Sequence, residues 1–261
     1  MERLERYIAG FDKVAIAFSA GVDSTLLAFA ANKVLGKNAL IYTIKTPYMP
    51  EWEIKSAVEI GEKYDFNLKF IELETPESIN NNPDNRCYLC KSVLFKEIIQ
   101  KANMENVDVI FDGSNVDDTK EIRPGMRALR ELGIRSPFIE LSFNKHEIRR
   151  LSRETGLPTW DTPSNACLLT RLPYDFQVNP ELLKKVETAE NILRKNGYND
   201  VRVRHHEEIA RIELPTSKIA VFINDENREV IIENIKALGY KFVTLDLEGY
   251  KTGSMGDGEN R

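Results

Sequence analysis

From Lys13 to Glu154, short apolar runs rich in β-branched residues alternate with longer stretches of helical periodicity. This alternation restricts the chain more than any other feature. Strands are expected at Lys13 to Phe18, Ala39 to Ile44, Leu68 to Leu73 and Val107 to Phe111. Helices are expected at Asp23 to Leu35, Glu51 to Tyr64, Arg86 to Lys101, Arg127 to Leu132 and Asn144 to Glu154. Strands separated by helices imply an α/β fold, a doubly wound parallel sheet with helices on both faces. Hydrophobic residues make up 42% of the 261 positions, enough for a sizeable core. The Pro- and Thr-rich stretch Pro158 to Pro173 interrupts the alternation. A boundary near its end divides the chain into 1–172 and a smaller α+β domain, 173–261. In the latter we expect a helix at Glu181 to Lys195, strands at Val201 to His205 and Ile209 to Leu214, a helix at Asn227 to Leu238 and a strand at Lys241 to Leu245.

Asp and Glu number 41 against 36 Lys and Arg, a net charge of −5 that disfavours a long nucleic-acid track. No apolar run approaches the roughly 20 residues of a membrane span, and Met1 to Glu5 shows no secretory h-region. We therefore expect a cytoplasmic protein that does not enter a membrane. Its three cysteines are then poor disulfide candidates.

Ser19-Ala20-Gly21-Val22-Asp23-Ser24-Thr25 joins the first strand to the first helix. Uncapped N–H groups at a helix start, the positive dipole end, a glycine and nearby hydroxyls make an anion cradle. The loop lacks the Gly-Lys-Ser/Thr ending of a Walker A motif. It resembles the PP-loop of the N-type ATP pyrophosphatases, which cleave ATP to AMP and pyrophosphate. That family usually writes Ser-Gly-Gly-x-Asp-Ser. Ala20 replaces its first glycine and disfavours a positive φ there. The resemblance implies that Ser19, Gly21, Asp23, Ser24 and Thr25 hold the pyrophosphate end of ATP and its Mg²⁺. Thr43, at the end of the second strand, would line the adenine.

Asp112-Gly113-Ser114-Asn115-Val116-Asp117-Asp118 follows the fourth strand, where doubly wound folds bind ligands. Gly113 and Asp117 are candidates for the nucleotide site, and clustered carboxylates suit Mg²⁺. A solvated turn is the alternative for each Asp. Cys87 and Cys90 form C-x-x-C at the start of a helix, with both sulfurs on one face and Asp84 or Asn85 as cap. Cys167 lies in Asn165-Ala166-Cys167-Leu168. Three readings are open: buried small residues; a zinc site completed by His146, His205 or His206; or a 4Fe-4S cluster held by three thiolates, with one iron open to an external ligand.

Across nearly its whole length the chain resembles the LarE family, ATP-dependent sulfur transferases of nickel-pincer cofactor synthesis. The resemblance is carried by Ser19 to Thr25, Gly113 to Asp118, Arg123 to Ala128, Glu131 to Gly133, Ser136-Pro137 and Pro163 to Leu168. Arg171, Val201 to His206, Ala210 to Glu213 and Glu248 to Ser254 complete it. It implies a substrate, pyridinium-3,5-biscarboxylic acid mononucleotide, that is adenylated and then thiolated. Some members have only the cysteine matching Cys167 and sacrifice its sulfur. With Cys87 and Cys90 the chain resembles the three-cysteine members, which implies that Cys87, Cys90 and Cys167 bind the cluster and that sulfide or another sulfur donor supplies the atom. Arg202 and Arg204 share one face of a strand, opposite Val201 and Val203, and suit the phosphate of the substrate. Arg171 is a further candidate, and a solvent-facing charged stripe is the alternative. A homo-oligomer is expected, with the smaller domain contributing to assembly. The rival function is cluster-dependent tRNA thiolation. The absence of extra zinc-binding cysteine pairs and the negative charge weigh against it.

Overall fold

The computed structural model describes residues 1–120, 124–163 and 166–250. The chain divides into two compact units. One comprises Met1–Ser78 and Asn85–Asn165; the other comprises Ile79–Asp84 and Ala166–Arg261. The division therefore falls before Cys167, not after Leu172. A six-residue excursion ahead of the C-x-x-C helix also belongs to the second unit.

In the first unit the order is α1 (Glu2–Ile8), β1 (Val14–Ala17), α2 (Val22–Leu35), β2 (Ala39–Lys45), α3 (Glu51–Lys63), β3 (Asn67–Glu72) and α4 (Arg86–Asn103). β4 (Ile110–Phe111), α5 (Pro124–Glu131), α6 (Pro137–Glu140) and α7 (Lys145–Glu154) follow. The sheet has the order β3-β2-β1-β4, and every pairing is parallel. Burial on both faces explains why β1 and β2 read as unbroken apolar runs. Val14, Ile16 and Ile41 point into a core with α1, α2, α3 and α7. Ala15, Leu40 and Tyr42 point the other way, into a core with α4 and α5. This is the doubly wound α/β arrangement. β4 is shorter than expected because Val107 N–H closes the end of α4 on the Ala102 carbonyl. β1 has β2 and β3 on one side and β4 on the other. Its carboxyl end is thus the topological switch point, where open α/β sheets bind ligands.

The second unit contains α8 (Pro180–Lys195), β5 (Arg202–His206), β6 (Ile209–Glu213), α9 (Thr216–Ile223), α10 (Arg228–Ala237) and β7 (Phe242–Leu245). β5 pairs antiparallel with β6, and β6 parallel with β7. Val203, Ala210 and Ile212 bury one sheet face against Leu193, Ile231 and Ile235. Asn82 anchors the excursion in this unit. It is fully buried with a left-handed backbone (φ 47°), and its Nδ2 donates to the carbonyls of Leu169, Leu172 and Pro173 at 3.2, 3.2 and 2.8 Å. Among the described residues no helix is long and apolar enough to cross a membrane.

Candidate functional site

The loop after β1 presents its backbone and turns its side chains inward. Ser24 Oγ accepts the Ser19 N–H at 3.2 Å and reaches the Gly21 carbonyl at 3.3 Å. Thr25 is fully buried in α2, and its N–H donates to Gly21 O. Thr43 donates to the Phe18 carbonyl at 3.0 Å. The hydroxyls of Ser24 and Thr43 brace the loop, while the Thr25 hydroxyl is buried and makes no hydrogen bond. Gly21 is the N-cap of α2, without a side-chain cap. The amides of Val22, Asp23 and Ser24 have no acceptor within the helix by its geometry. Ala20 is at φ +56°, so the expected avoidance of positive φ is corrected. The loop keeps the glycine-like turn and accepts the strain of a Cβ. Gly21, at φ −76°, needs no such freedom. Gly113 is needed for close approach, since a Cβ there would lie 3.0 Å from Ser24 N and 3.2 Å from Asp23 Cβ. It seats the loop after β4 against the start of α2.

A pocket opens on this loop, lined by residues 19–23, Trp52 and Glu53 of the first turn of α3, Lys145, Thr162 and Pro163. Asp23 lies in its wall. Asn115 Nδ2 donates to Asp23 Oδ1 at 3.2 Å, and the Lys145 ammonium pairs with Oδ2. Asn115 also caps the short turn 116–119, while Asp117 Oδ2 accepts the Lys145 backbone N–H at 2.7 Å. Asp117 thus holds the start of α7, and its carboxyl is drawn down by the Lys120 ammonium. Asp112 is buried beneath Ser114 and Ser136, which both donate to it, and burial pushes its carboxyl up. The donor set fits Mg²⁺, which takes one or two carboxylates beside phosphate oxygens. Asp23 is the residue that would hold it, and a cation reaching Oδ2 would have to exchange with the Lys145 ammonium.

Cys87 and Cys90 occupy the first turn of α4. Cys87 is exposed; Cys90 is half-buried, 3.2 Å from the Tyr48 hydroxyl. Asn85 is the N-cap residue but caps through no side-chain bond, contrary to expectation. α5 presses on this turn, because a Cβ on Gly125 would meet Lys91 Cδ at 2.8 Å and the Cys87 carbonyl at 3.5 Å. Cys167, in the second unit, heads the turn 168–171. No disulfide joins the three. Among the described residues, no three His, Cys, Asp or Glu side chains are assembled as a metal-holding group. His205 is buried against Phe176 and Tyr240, and burial, then Lys185 and His206, hold its pKa at about 4.

The arginines are buried. Arg171 forms a two-pronged pair with Glu190 at 2.8 and 3.2 Å. Its Nη1 donates to the Ala166 and Cys167 carbonyls at 2.6 and 3.1 Å. It therefore fixes the cysteine segment. Burial works against both charges, but the pair outweighs it: Glu190 holds the guanidinium charged, and Arg171 holds the carboxyl down. Arg204 pairs with buried Glu213 at 2.8 Å and donates to the Thr170 carbonyl. Arg202 lies 5.0 Å from the Tyr250 ring centre, and burial lowers its pKa. A solvent-facing stripe is excluded, since Arg202 and Arg204 are 5% and 3% exposed.

No family model matches the chain. An uncharacterized protein of Synechocystis is 38% identical over 257 residues, covering 98% of this chain and 96% of that one. The pyridinium-3,5-bisthiocarboxylic acid mononucleotide synthase of Lactiplantibacillus plantarum is 32% identical over 248 residues, 94% of this chain and 89% of the relative. The chain belongs to the LarE family. A more distant likeness, 25% over 174 residues, links it to a glutamine-hydrolyzing GMP synthase of Methanopyrus kandleri and covers 60% of this chain and 54% of the relative.

Within this LarE enzyme, the family signals map onto both units. Arg123, Ser164, Asn165 and Lys251 to Ser254 lie outside the described residues. The structure also adds residues that motif reading passed over. Lys145 and Asn115 complete the Asp23 cluster, and Trp52 and Thr162 line the pocket. Asn115 stood within the motif after the fourth strand, and Lys145 had a local signal of its own. It follows Asn144, whose capping box with Glu147 marks a helix start.

Proposed function

We propose that this LarE chain converts pyridinium-3,5-biscarboxylic acid mononucleotide to its thiocarboxylate at the expense of ATP. The observation that carries this reading is near full-length similarity to a synthase of the bisthiocarboxylic acid mononucleotide, in a chain whose switch-point pocket is floored by a pyrophosphate-type loop. The substrate carboxylate attacks the α-phosphorus of ATP, forming an acyl adenylate and releasing pyrophosphate. A sulfide then attacks the acyl carbon, and AMP departs with the former carboxylate oxygen. Amides of the α2 first turn receive the pyrophosphate, helped by the dipole. Asp23 holds Mg²⁺, and Trp52 offers a face to the nucleoside. Phosphate recognition on the substrate falls to Arg202 and Arg204, with Arg171 retained as the residue that fixes the Cys167 segment.

Cys87, Cys90 and Cys167 are the proposed ligands of a 4Fe-4S cluster. Such a cluster, when bound, supplies an iron without a protein thiolate, on which sulfide can be carried. The exposure of Cys87 supports this reading. In a second reading, supported by the hold of buried Arg171 on the Cys167 carbonyl, Cys167 gives up its own sulfur and becomes dehydroalanine. Metal analysis after anaerobic reconstitution separates the two. About four irons per chain, lost in any one Cys→Ala variant, supports the cluster. One sulfur lost per turnover at Cys167 alone supports sacrifice. Assembly as a homo-oligomer is part of the proposal. The exposed apolar side chains Val221, Ile223, Val230 and Phe242 of the second unit support it, and light scattering tests it.

Product analysis tests the main reading. AMP, pyrophosphate and a thiocarboxylate are expected from substrate, ATP and sulfide. ADP as the main product contradicts it.

A further inference from the structure

Arg149, in α7, holds two carbonyls of one loop. Its Nη1 donates to the Trp160 carbonyl and its Nη2 to the Thr162 carbonyl, each at 2.8 Å. The loop starts at Leu157, which is buried in the first core, and ends on Thr162 and Pro163, which line the pocket at the carboxyl end of β1. From Trp160 to Pro163 no residue of the loop is buried, so the core does not fix this stretch. The base of Arg149 is fixed. Ile148, Leu151 and Ser152 are buried around it, and the capping box of Asn144 and Glu147 sets the start of the helix. A guanidinium is a planar fork of donors, so one side chain fixes two oxygens and the turn between them. Water would satisfy surface carbonyls as well, so the fork adds order to the loop more than stability to the fold.

The loop after β1 offers backbone amides, which suit phosphates. Away from that loop, the uncharged lining of the pocket is Trp52, Thr162 and Pro163. We infer that Arg149 is a positioning residue of this enzyme: by holding the Trp160 and Thr162 carbonyls it sets Thr162 and Pro163 as the wall against which the nucleoside of ATP is seated. Arg149 does not itself line the pocket and acts through the loop. The inference rests on the reading of the pocket as the ATP site.

Titration calorimetry on the full chain tests it, with adenosine, ATP and pyrophosphate as probes, beside denaturant unfolding and the kinetics of AMP formation. Arg149→Met should weaken adenosine and ATP binding about tenfold, the loss of roughly one charge-assisted hydrogen bond, and leave pyrophosphate within about twofold. The KM for ATP should rise with the dissociation constant, kcat should change less, and the unfolding midpoint should hold. Arg149→Lys, whose single ammonium holds one carbonyl at a time, should lose adenosine affinity by about threefold. Arg153 lies over the Trp160 ring, 5.0 Å from its centre, and holds neither carbonyl. Arg153→Met should therefore leave all three affinities unchanged, and a loss equal to that of Arg149→Met overturns the inference. Weakening of all three probes together with a lowered unfolding midpoint would make Arg149 merely structural and also overturns it. So does undiminished adenosine binding by Arg149→Met in a protein that still binds ATP, an outcome that leaves the ATP reading standing. If the Met variant does not fold, wild-type adenosine affinity in Arg149→Lys overturns the inference instead. Wild-type protein that binds no ATP overturns both.

Discussion

The loop after β1 and the strand β5 each carry polar residues that invite an anion, and they are built in opposite ways. In the loop, Ser24, Thr25 and Thr43 face inward and the backbone is what the pocket meets. In β5 the side chains are the chemistry, and they are buried in ion pairs: Arg204 with Glu213, and beside them Arg171 with Glu190. Backbone amides need only a fixed turn, whose strain is local. Buried guanidinium groups need partners, because an uncompensated charge in the interior is costly. Substitution of these buried pairs should therefore damage stability in the second unit before any loss of substrate binding is read there, whereas substitution in the loop should damage function with little loss of stability.

The largest expected effect follows. Glu190 receives Arg171, Arg194 and the Val203 N–H while fully buried. Glu190→Ala should cost about 3–5 kcal/mol, the penalty for breaking a buried pair, read from denaturant unfolding. A loss under about 1 kcal/mol would place these arginines in water and erase the contrast.

Acid should also strike the second unit. His205 has its pKa lowered to about 4, chiefly by burial, so the folded chain binds its proton less readily than the unfolded chain, whose histidine titrates near 6.5. Its contribution is present above about 6.5 and is lost as pH falls through about 4. The loss reaches about 3 kcal/mol when 1.36 kcal/mol per unit is applied. Unfolding midpoints between pH 7 and 4 should fall accordingly, and His205→Gln should flatten the slope. An unchanged slope in that variant would assign the acid sensitivity elsewhere.

In the loop the balance reverses. Asp23→Asn should leave unfolding within about 1 kcal/mol, since the lost pair is half-exposed. AMP formation should fall at least about a hundredfold, equivalent to about 2.7 kcal/mol of transition-state stabilisation. Comparable losses in both measurements would make Asp23 structural.

The smallest effect sharpens the same point. Ala20→Gly relieves a left-handed alanine, a gain of about 1–2 kcal/mol, but adds about 0.4–1 kcal/mol of unfolded-state entropy. The net should be a stabilisation of about 1 kcal/mol or less. Destabilisation would mean that the turn does not strain Ala20.

The sheet was legible because β1 and β2 are buried on both faces and read as plain apolar runs. Helices α2, α3, α4, α7 and α8 were legible from their periodicity. The helix α1 was not, because it has seven residues and Met1 as an N-cap without a capping side chain, and α9 was not, because its eight residues give too short a window for the helical period. The Ile79–Asp84 excursion left no local trace, since its anchor is Asn82 bonding to carbonyls about ninety positions away. In the site, the loop and the C-x-x-C could be found as contiguous patterns. The direction in which Ser24, Thr25 and Arg171 point could not, because each is decided by a partner: Ser19, the α2 core and Glu190. Lys145 meets Asp23 only through tertiary structure.

Activation of a substrate carboxylate by ATP, through an acyl adenylate, is the central claim. It is tested most directly by following the carboxylate oxygen. Pyridinium-3,5-biscarboxylic acid mononucleotide labelled with oxygen-18 in its carboxylates should be incubated anaerobically with the reconstituted full chain, ATP, Mg²⁺ and sulfide, and the products read by mass spectrometry. The expected result is one labelled oxygen in each AMP formed, unlabelled pyrophosphate, and sulfur in place of that oxygen in the product. Label appearing in inorganic phosphate alongside ADP, or thiocarboxylate forming with unlabelled AMP, would contradict it.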